Sequence, residues 1–225
     1  MNTKQAYIAL NLLPNIGPIR IRRLLENFGT AKSILEANPK DLVQVRGIGK
    51  EASQTIANWQ KQIDLKAELK KIQTRNIRII TPEDQEYPSL LRETYDPPVV
   101  LYAWGRLKKS DSEAISIVGS RQATYYGKET ARKLGFQLAN AGLCVVSGMA
   151  RGIDSAAHEG ALAAGGRTIA VIGSGLGKIY PPENQNLAEK ISANGAVISE
   201  FPIDYPPKKK SFPQRNRIVA GWARG

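Results

Sequence analysis

Apolar positions recur at helical spacing through the first third of the chain and gather into short unbroken runs in the last half. "KQAYIALNLL" repeats its apolar residues three and four apart, the pattern of a helix with one buried face. "PNIG" breaks it. "PIRIRRLLENFG" restarts with proline near the first turn and stops on Gly29, a normal pair of helix signals. "TAKSILEAN" and "PKDLVQVRGIGKEASQTIANWQ" extend the run of short helices. "KQIDLKAELKKIQTR" predicts a basic amphipathic helix ahead of a strand at "IRIITP". The stretch "EDQEYPSLLRETYDPPVVLYAWG" carries three prolines and both charge signs, and reads as an ordered crossover with a strand in "PPVVLYAWG".

From residue 115 the rhythm changes. "AISIVGS", "LCVVSG", "TIAVIGSG" and "AVISEF" are short apolar runs ending in glycine, serine or a polar turn. Helical stretches separate them: "GKETARKLGFQLANAG", "DSAAHEGALAAGG" and "NQNLAEKISANG". Strands alternating with helices at this spacing predict an α/β fold with a parallel sheet. The chain thus divides into a helical domain over 1–75 and an α/β domain over 76–225. Ligands of such sheets bind at the carboxyl ends of the strands. All the glycine-rich turns fall on that edge, which gathers "GSR", "SGMARGID", "GSGLGKIYP" and "SEFP" into one crevice.

Charge sharpens the picture. The chain of 225 residues has a formal net charge of +12, distributed as +7 over 1–75, −2 over 76–115 and +7 over 116–225. Two basic segments around a mildly acidic join suggest two surfaces for a polyanion; the plainer reading is a basic surface that aids solubility. No apolar run is long enough to span a membrane, and the N-terminus lacks a signal peptide, so a cytoplasmic location is expected. Cys144, the single cysteine, has no disulfide partner in the chain and reads as buried filler.

Two phrases in the helical domain, "LLPNIGPIRIRRLL" and "LVQVRGIGKEASQTI", each join helices through an Ile-Gly hairpin, at Ile16-Gly17 and Ile48-Gly49. They resemble the helix-hairpin-helix unit, whose glycines turn backbone amides toward a phosphate. Gly47, Gly49 and Lys50 make the second copy the better match; a non-binding interaction fold built from the same units is the alternative.

In the crevice, Gly119, Ser120 and Arg121 offer amides, a hydroxyl and a guanidinium just after a strand, which suits phosphate. "SGMARGID" lacks dinucleotide spacing, and no acid stands where a ribose would be held. The glycines at 173, 175 and 177 approximate that fingerprint, but the third falls one residue early. His158 reads as a packed or partly exposed helix residue, and Asp154 as the cap of that helix. No cysteine or histidine cluster exists for a metal. A carboxylate hydrolase would need Asp154, Glu159 or Glu200 in the crevice, and nothing in the spacing demands it. The segment "PPKKKSFPQRNRIVAG" sets Lys208, Lys209, Lys210, Arg215 and Arg217 around Phe212 with no acid. Basic side chains track a phosphate backbone while rings stack on bases, which favours nucleic acid over a solvated loop.

Together, "IVGSRQATYYG", "SGMARGIDSAAHEGAL", "TIAVIGSGLGKIYPPEN", "ISEFP" and "FPQRNRIVAG" resemble, in order and spacing, the DNA-processing protein A family, also called DprA or Smf. The resemblance covers nearly the whole chain. It implies a Rossmann-like, mostly parallel sheet with helices on both faces, preceded by a small sterile-alpha-motif-like (SAM-like) domain. It also implies a single-stranded DNA binding protein, without cofactor or catalysis, that protects incoming strands in natural transformation, loads the recombinase RecA and works as a homodimer. Carried over by motif, the DNA contacts are Gly119, Ser120, Arg121, Ser147, Gly148, Arg151, Lys178, Arg215 and Arg217; the reading of the basic segment adds Phe212. Family members continue past "RNRIVAG", whereas this chain reads "GWARG" and stops. A C-terminally shortened member is therefore expected, with a helix starting near Asn216 left too short. A sheet edge and apolar faces would be uncovered, and dimerisation weakened. The competing readings are a nucleotide-processing enzyme of a related Rossmann-like superfamily, although its threonine and glutamate signature is absent, and a free-nucleotide sensor.

Overall fold

In the computed structural model, which describes residues 1–225, the N-terminal third is a run of helices. These are α1 (Thr3–Leu12), α2 (Pro18–Phe28), α3 (Ala31–Glu36), α4 (Pro39–Leu42), α5 (Lys50–Ala57), α6 (Trp59–Gln62) and α7 (Leu65–Thr74). Local caps set their boundaries: Asn2 and Gln5 cap α1 reciprocally, and the Thr30 hydroxyl accepts the Ser33 amide at the start of α3. One predicted helix is split. Asp64 accepts the Ala67 amide at 2.9 Å and begins α7 afresh, so the amphipathic run around it yields two helices.

The rest of the chain alternates as the apolar runs predict. Its elements are β1 (Arg78–Ile80), α8 (Ser89–Arg92), β2 (Leu101–Gly105), β3 (Ala114–Ser116), α9 (Tyr125–Asn140) and β4 (Cys144–Ser147). There follow α10 (Ile153–Ala163), β5 (Thr168–Val171), α11 (Gln185–Asn194), β6 (Ala196–Ser199) and α12 (Ser211–Trp222). The strands form one sheet in the order β1-β2-β6-β5-β4-β3. β3 to β6 run parallel, while β2 pairs antiparallel with both β6 and β1.

Side chains alternate across this sheet. Tyr102, Val145, Ala170 and Val197 belong to clusters shared with α9, α10, α11 and the N-terminal helices. Val146, Ile169, Val171 and Ile198 join Leu91, Ile218 and Trp222 from α8 and α12. Helices therefore cover both faces. The largest cluster, 31 buried residues, runs without a break from Ala6 and Leu24 in the helical domain to Val197 and Ile203. No helix is long and apolar enough to cross a membrane.

Two expectations about the C-terminal end are corrected. The last helix begins at Ser211, well before Asn216, because Pro213 fits its first turn, where no intrahelical amide is required. It runs 12 residues and buries Ile218, Val219 and Trp222. The outer edge of β3 is not bare either. The Arg224 amide donates to Ala114 O at 3.0 Å, and the Ser116 amide to Gly225 O at 2.7 Å. The final two residues thus take the hydrogen-bonding groups that an edge strand would otherwise expose.

Candidate nucleic-acid interface

The carboxyl edge of the sheet is organised around a buried arginine. Arg215 of α12 is 3% exposed and donates to the carbonyls of Gly148, just after β4, and Val171, the last residue of β5. Burial pushes its pKa down to about 10, opposed by the nearby Asp154 carboxylate. Asp154 does not cap α10; Gly152 holds that place. Its buried carboxylate instead faces the amides of Gly119 at 3.4 Å and Ala150 at 3.3 Å, tying the turns after β3 and β4 together. Burial raises the Asp154 pKa, and Arg215 counters it.

Two glycines of the crevice seat side chains of the protein itself. A methyl group at Gly148 would strike the Arg215 guanidinium, and one at Gly173 would lie 2.9 Å from the Phe212 ring. The amides of Gly175 and Gly177 are also taken, by Tyr205 O at 2.9 Å and Ile203 O at 2.7 Å. The glycine-rich loop after β5 therefore grips the segment after β6.

Over this frame lies a layer of exposed cations and half-buried aromatic rings. The Arg121 guanidinium stands 4.9 Å from the centroid of the Phe212 ring, and Tyr180 approaches that ring at 5.6 Å. Arg151 is exposed and ion-paired with Glu183 across the rim. Arg121, Arg151, Tyr180 and Phe212 line a shallow, partly open space of only about 20 Å³. That is room for a water molecule and far too little for a nucleotide. Gly119, Ser120 and Lys178 are exposed, and Ser120 Oγ accepts the Gln122 amide at 3.1 Å within its own loop. Lys208, Lys209 and Lys210 are exposed just before α12, with Lys208 lying 5.0 Å over the Tyr205 ring.

Other residues assigned to this site lie inside the molecule. Ser147 is fully buried and donates to Ile117 O at 2.5 Å. Arg217 pairs with Glu200 and stands 2.9 Å from Asp96. Burial lifts Glu200 to about 7 despite that partner, and its second oxygen has no hydrogen bond. His158 is wholly buried, its Nδ1 2.6 Å from the Thr168 hydroxyl. That hydroxyl donates to Val145 O, so Nδ1 carries the proton and donates to Thr168, and Nε2 is left unpaired. Burial pushes His158 down to about 3. Gly47, Gly49 and Lys50 are exposed on the second hairpin, where Arg23 donates to Arg46 O at 3.2 Å, and none of the three lines the crevice.

The helical domain contributes anchors that the sequence did not flag. Asn11 donates to Glu200 O at 3.0 Å, Glu68 accepts the Ile203 amide at 2.8 Å, and Lys71 lies 2.9 Å from Asp204. All three hold the segment that leads into the basic loop. Tyr180 and Asn184, both within "GKIYPPEN", also serve the site, and no local signal sets either apart. Asn184 supports the turn after β4 by donating to Met149 O at 2.8 Å. No group of three His, Cys, Asp or Glu side chains is placed to hold a metal ion.

A Rossmann-like sheet with a buried arginine under a cationic, aromatic rim, fronted by tandem helical hairpins, places the chain among α/β proteins with an N-terminal helix-hairpin-helix tandem. Residues 78–225 match the family described as DNA recombination-mediator protein A, and residues 8–58 match a SAM-like helix-hairpin-helix tandem. The chain belongs to the DNA recombination-mediator protein A family, whose members include the Smf and DprA proteins. Protein Smf of Synechocystis sp. is 39% identical over 228 residues, covering 99% of this chain and 57% of that protein. DNA processing protein DprA of Streptococcus pneumoniae is 44% identical over 142 residues, 63% of this chain and half of that protein. The chain spans about half the length of the curated relatives it matches. The X-ray structure of the Streptococcus pneumoniae protein superposes with a TM-score of 0.83 at 34% identity, over 100% of this chain and 76% of the other. DNA processing protein A of Helicobacter pylori, whose structure concerns its single-stranded DNA binding mode, superposes over 66% of this chain and 67% of the other, with a TM-score of 0.58 and 35% identity.

Proposed function

We propose that this chain binds single-stranded DNA along the carboxyl edge of its sheet and serves recombination, protecting the strand and passing it to a RecA-type recombinase. The observation that carries the reading is the pairing of an open cationic, aromatic rim with a floor of only about 20 Å³. Such a site takes a backbone across its mouth, and the space between Arg121, Arg151, Tyr180 and Phe212 is too small for a free nucleotide. Arg121, Arg151 and Lys178 meet phosphates, with Lys208–Lys210 continuing the track, and Phe212 and Tyr180 supply ring surface. Arg215 and Arg217 act as positioning residues beneath it. Single-stranded DNA binding by the Helicobacter pylori relative supports the choice of ligand. A hydrolase reading draws no support from the carboxylates: Asp154 is fixed by backbone amides and Glu200 by Arg217. No catalytic step is proposed.

Fluorescence anisotropy with a labelled poly-dT oligonucleotide across a salt series, with duplex as competitor, tests this. Binding should favour the single strand and weaken steeply as salt rises. Arg121→Ala should weaken it for every sequence and lower the log–log salt slope by about 1. Binding that ignores salt, or a folded sample that does not bind, would overturn the reading.

A further inference from the structure

The sequence contains eight tyrosines, and six are spoken for. Tyr7 donates to Glu83, Tyr87 donates to Pro98 O, and Tyr102 is buried in the core. Tyr95, though exposed, lies under the Arg22 guanidinium at 5.5 Å, while Tyr180 packs on Phe212 and Tyr205 stacks on Phe201 at 4.5 Å. Tyr125 and Tyr126 have no such partner. They are 81% and 80% exposed, the two most exposed large apolar side chains of the protein, and neither hydroxyl bonds to the protein.

Their position gives that exposure a use. They are the first two residues of α9, and Thr124 caps that helix by accepting the Gly127 amide at 3.1 Å. The rings therefore stand on ordered backbone. Consecutive helical residues point about 100° apart, so each ring offers its own face without shielding the other. Arg121 lies four residues before Tyr125, and Lys128 is exposed two residues after Tyr126. No acidic residue occurs between Ala114 and Lys128, and Val118, 61% exposed, lies at the head of the same loop. Exposed rings flanked by unopposed cations match the two halves of a single strand, its bases and its phosphates.

We infer that Tyr125 and Tyr126 form a base-stacking shelf that lengthens the DNA track beyond the crevice, on the α9 side of Arg121. The shelf rests on the single-stranded DNA reading and adds to it a contact to bases outside the Phe212 site. Stacking is indifferent to base identity, because every base has a π face, so the shelf adds affinity without sequence preference.

The test is anisotropy with two labelled probes of equal length, an oligo-dT and an abasic phosphodiester strand. Three proteins are compared: the unaltered chain, Tyr125→Ala/Tyr126→Ala, and Tyr125→Phe/Tyr126→Phe. The alanine pair should bind oligo-dT about tenfold more weakly or worse. It should keep the wild-type salt slope and bind the abasic strand as wild type does. The phenylalanine pair should behave as wild type on both probes. Equal binding of oligo-dT by the alanine pair would overturn the shelf, as would an equal loss on the abasic strand. Failure of the unaltered chain to bind oligo-dT would overturn the DNA reading and the shelf with it.

Discussion

Arg215 and Arg217 carry the same charge two residues apart on one helix, yet neither is free to meet a phosphate. Arg215 is held by two strand-end carbonyls, and Arg217 by two carboxylates. Removing either should damage the fold before it damages binding. Gly148→Ala tests the first of these indirectly, because its methyl group would press on the Arg215 guanidinium. Overpacking of this kind costs about 1–3 kcal/mol, and each kcal/mol lowers Tm by roughly 2–4 °C in a chain of this size. An unchanged melting temperature would show that Arg215 moves aside freely. Arg151 presents the opposite case. Its partner Glu183 is half exposed, so the pair is weak and a phosphate competes with it directly. Glu183→Gln should therefore tighten single-strand binding a few-fold at low salt, with the gain fading as salt rises. Weaker or unchanged binding in anisotropy would remove Arg151 from the track.

Among the elements, the segment from β6 to α12 holds the basic loop in place, and it is fixed from the far end of the sequence. Glu68 of α7 accepts the Ile203 amide, and its own burial raises its pKa. Glu68→Ala would leave that buried amide unpaired, a loss of about 1–3 kcal/mol. It should also speed hydrogen exchange at Ile203 more than at β4; uniform exchange would refute the anchoring role. This contact also marks the limit of what could be read from the chain. The short apolar runs of the sheet and the caps of α1 and α3 are local signals, and they were legible. Arg217 looked like a free cation because its partners, Asp96 and Glu200, lie elsewhere in the sequence. The start of the last helix is expected near Asn216, yet it lies at Ser211, because a proline in the first turn removes no needed amide. Gly148 and Gly173 are where a side chain makes a close approach, that of Arg215 and of Phe212 in turn, and nothing local in the sequence tells that apart from a phosphate.

For the molecule as a whole, two buried groups set opposing dependences on pH. His158 falls from its usual 6.5 to about 3 on folding, so stability is complete above 6.5 and is lost as pH falls toward 3. Glu200 rises from 4.5 to about 7, so its contribution is complete below 4.5 and is lost as pH rises through 7. The first effect is on the order of 5 kcal/mol and the second about 3 kcal/mol. Between pH 4.5 and 6.5 they oppose each other and give a plateau, with a steep fall on the acid side and a smaller one toward neutrality. Asp154 and Glu68, also raised by burial, add to the second trend. Urea midpoints measured from pH 3.5 to 8 should show this shape, and Glu200→Gln should lose less stability than wild type between pH 5 and 8. A wild-type midpoint that climbs steadily to pH 8 would contradict it.

The unbroken 31-residue core has a consequence for how such a protein can change over time. In chain order the helical hairpins look like a module that gene rearrangement could cut off or exchange near residue 75. In space there is no such seam, because one face of the sheet is completed by side chains from those hairpins. A hairpin unit borrowed from another gene would need to bring half of a matched interior with it. Inheritance should therefore keep the two parts together, with substitutions on either side of the join compensating one another across it.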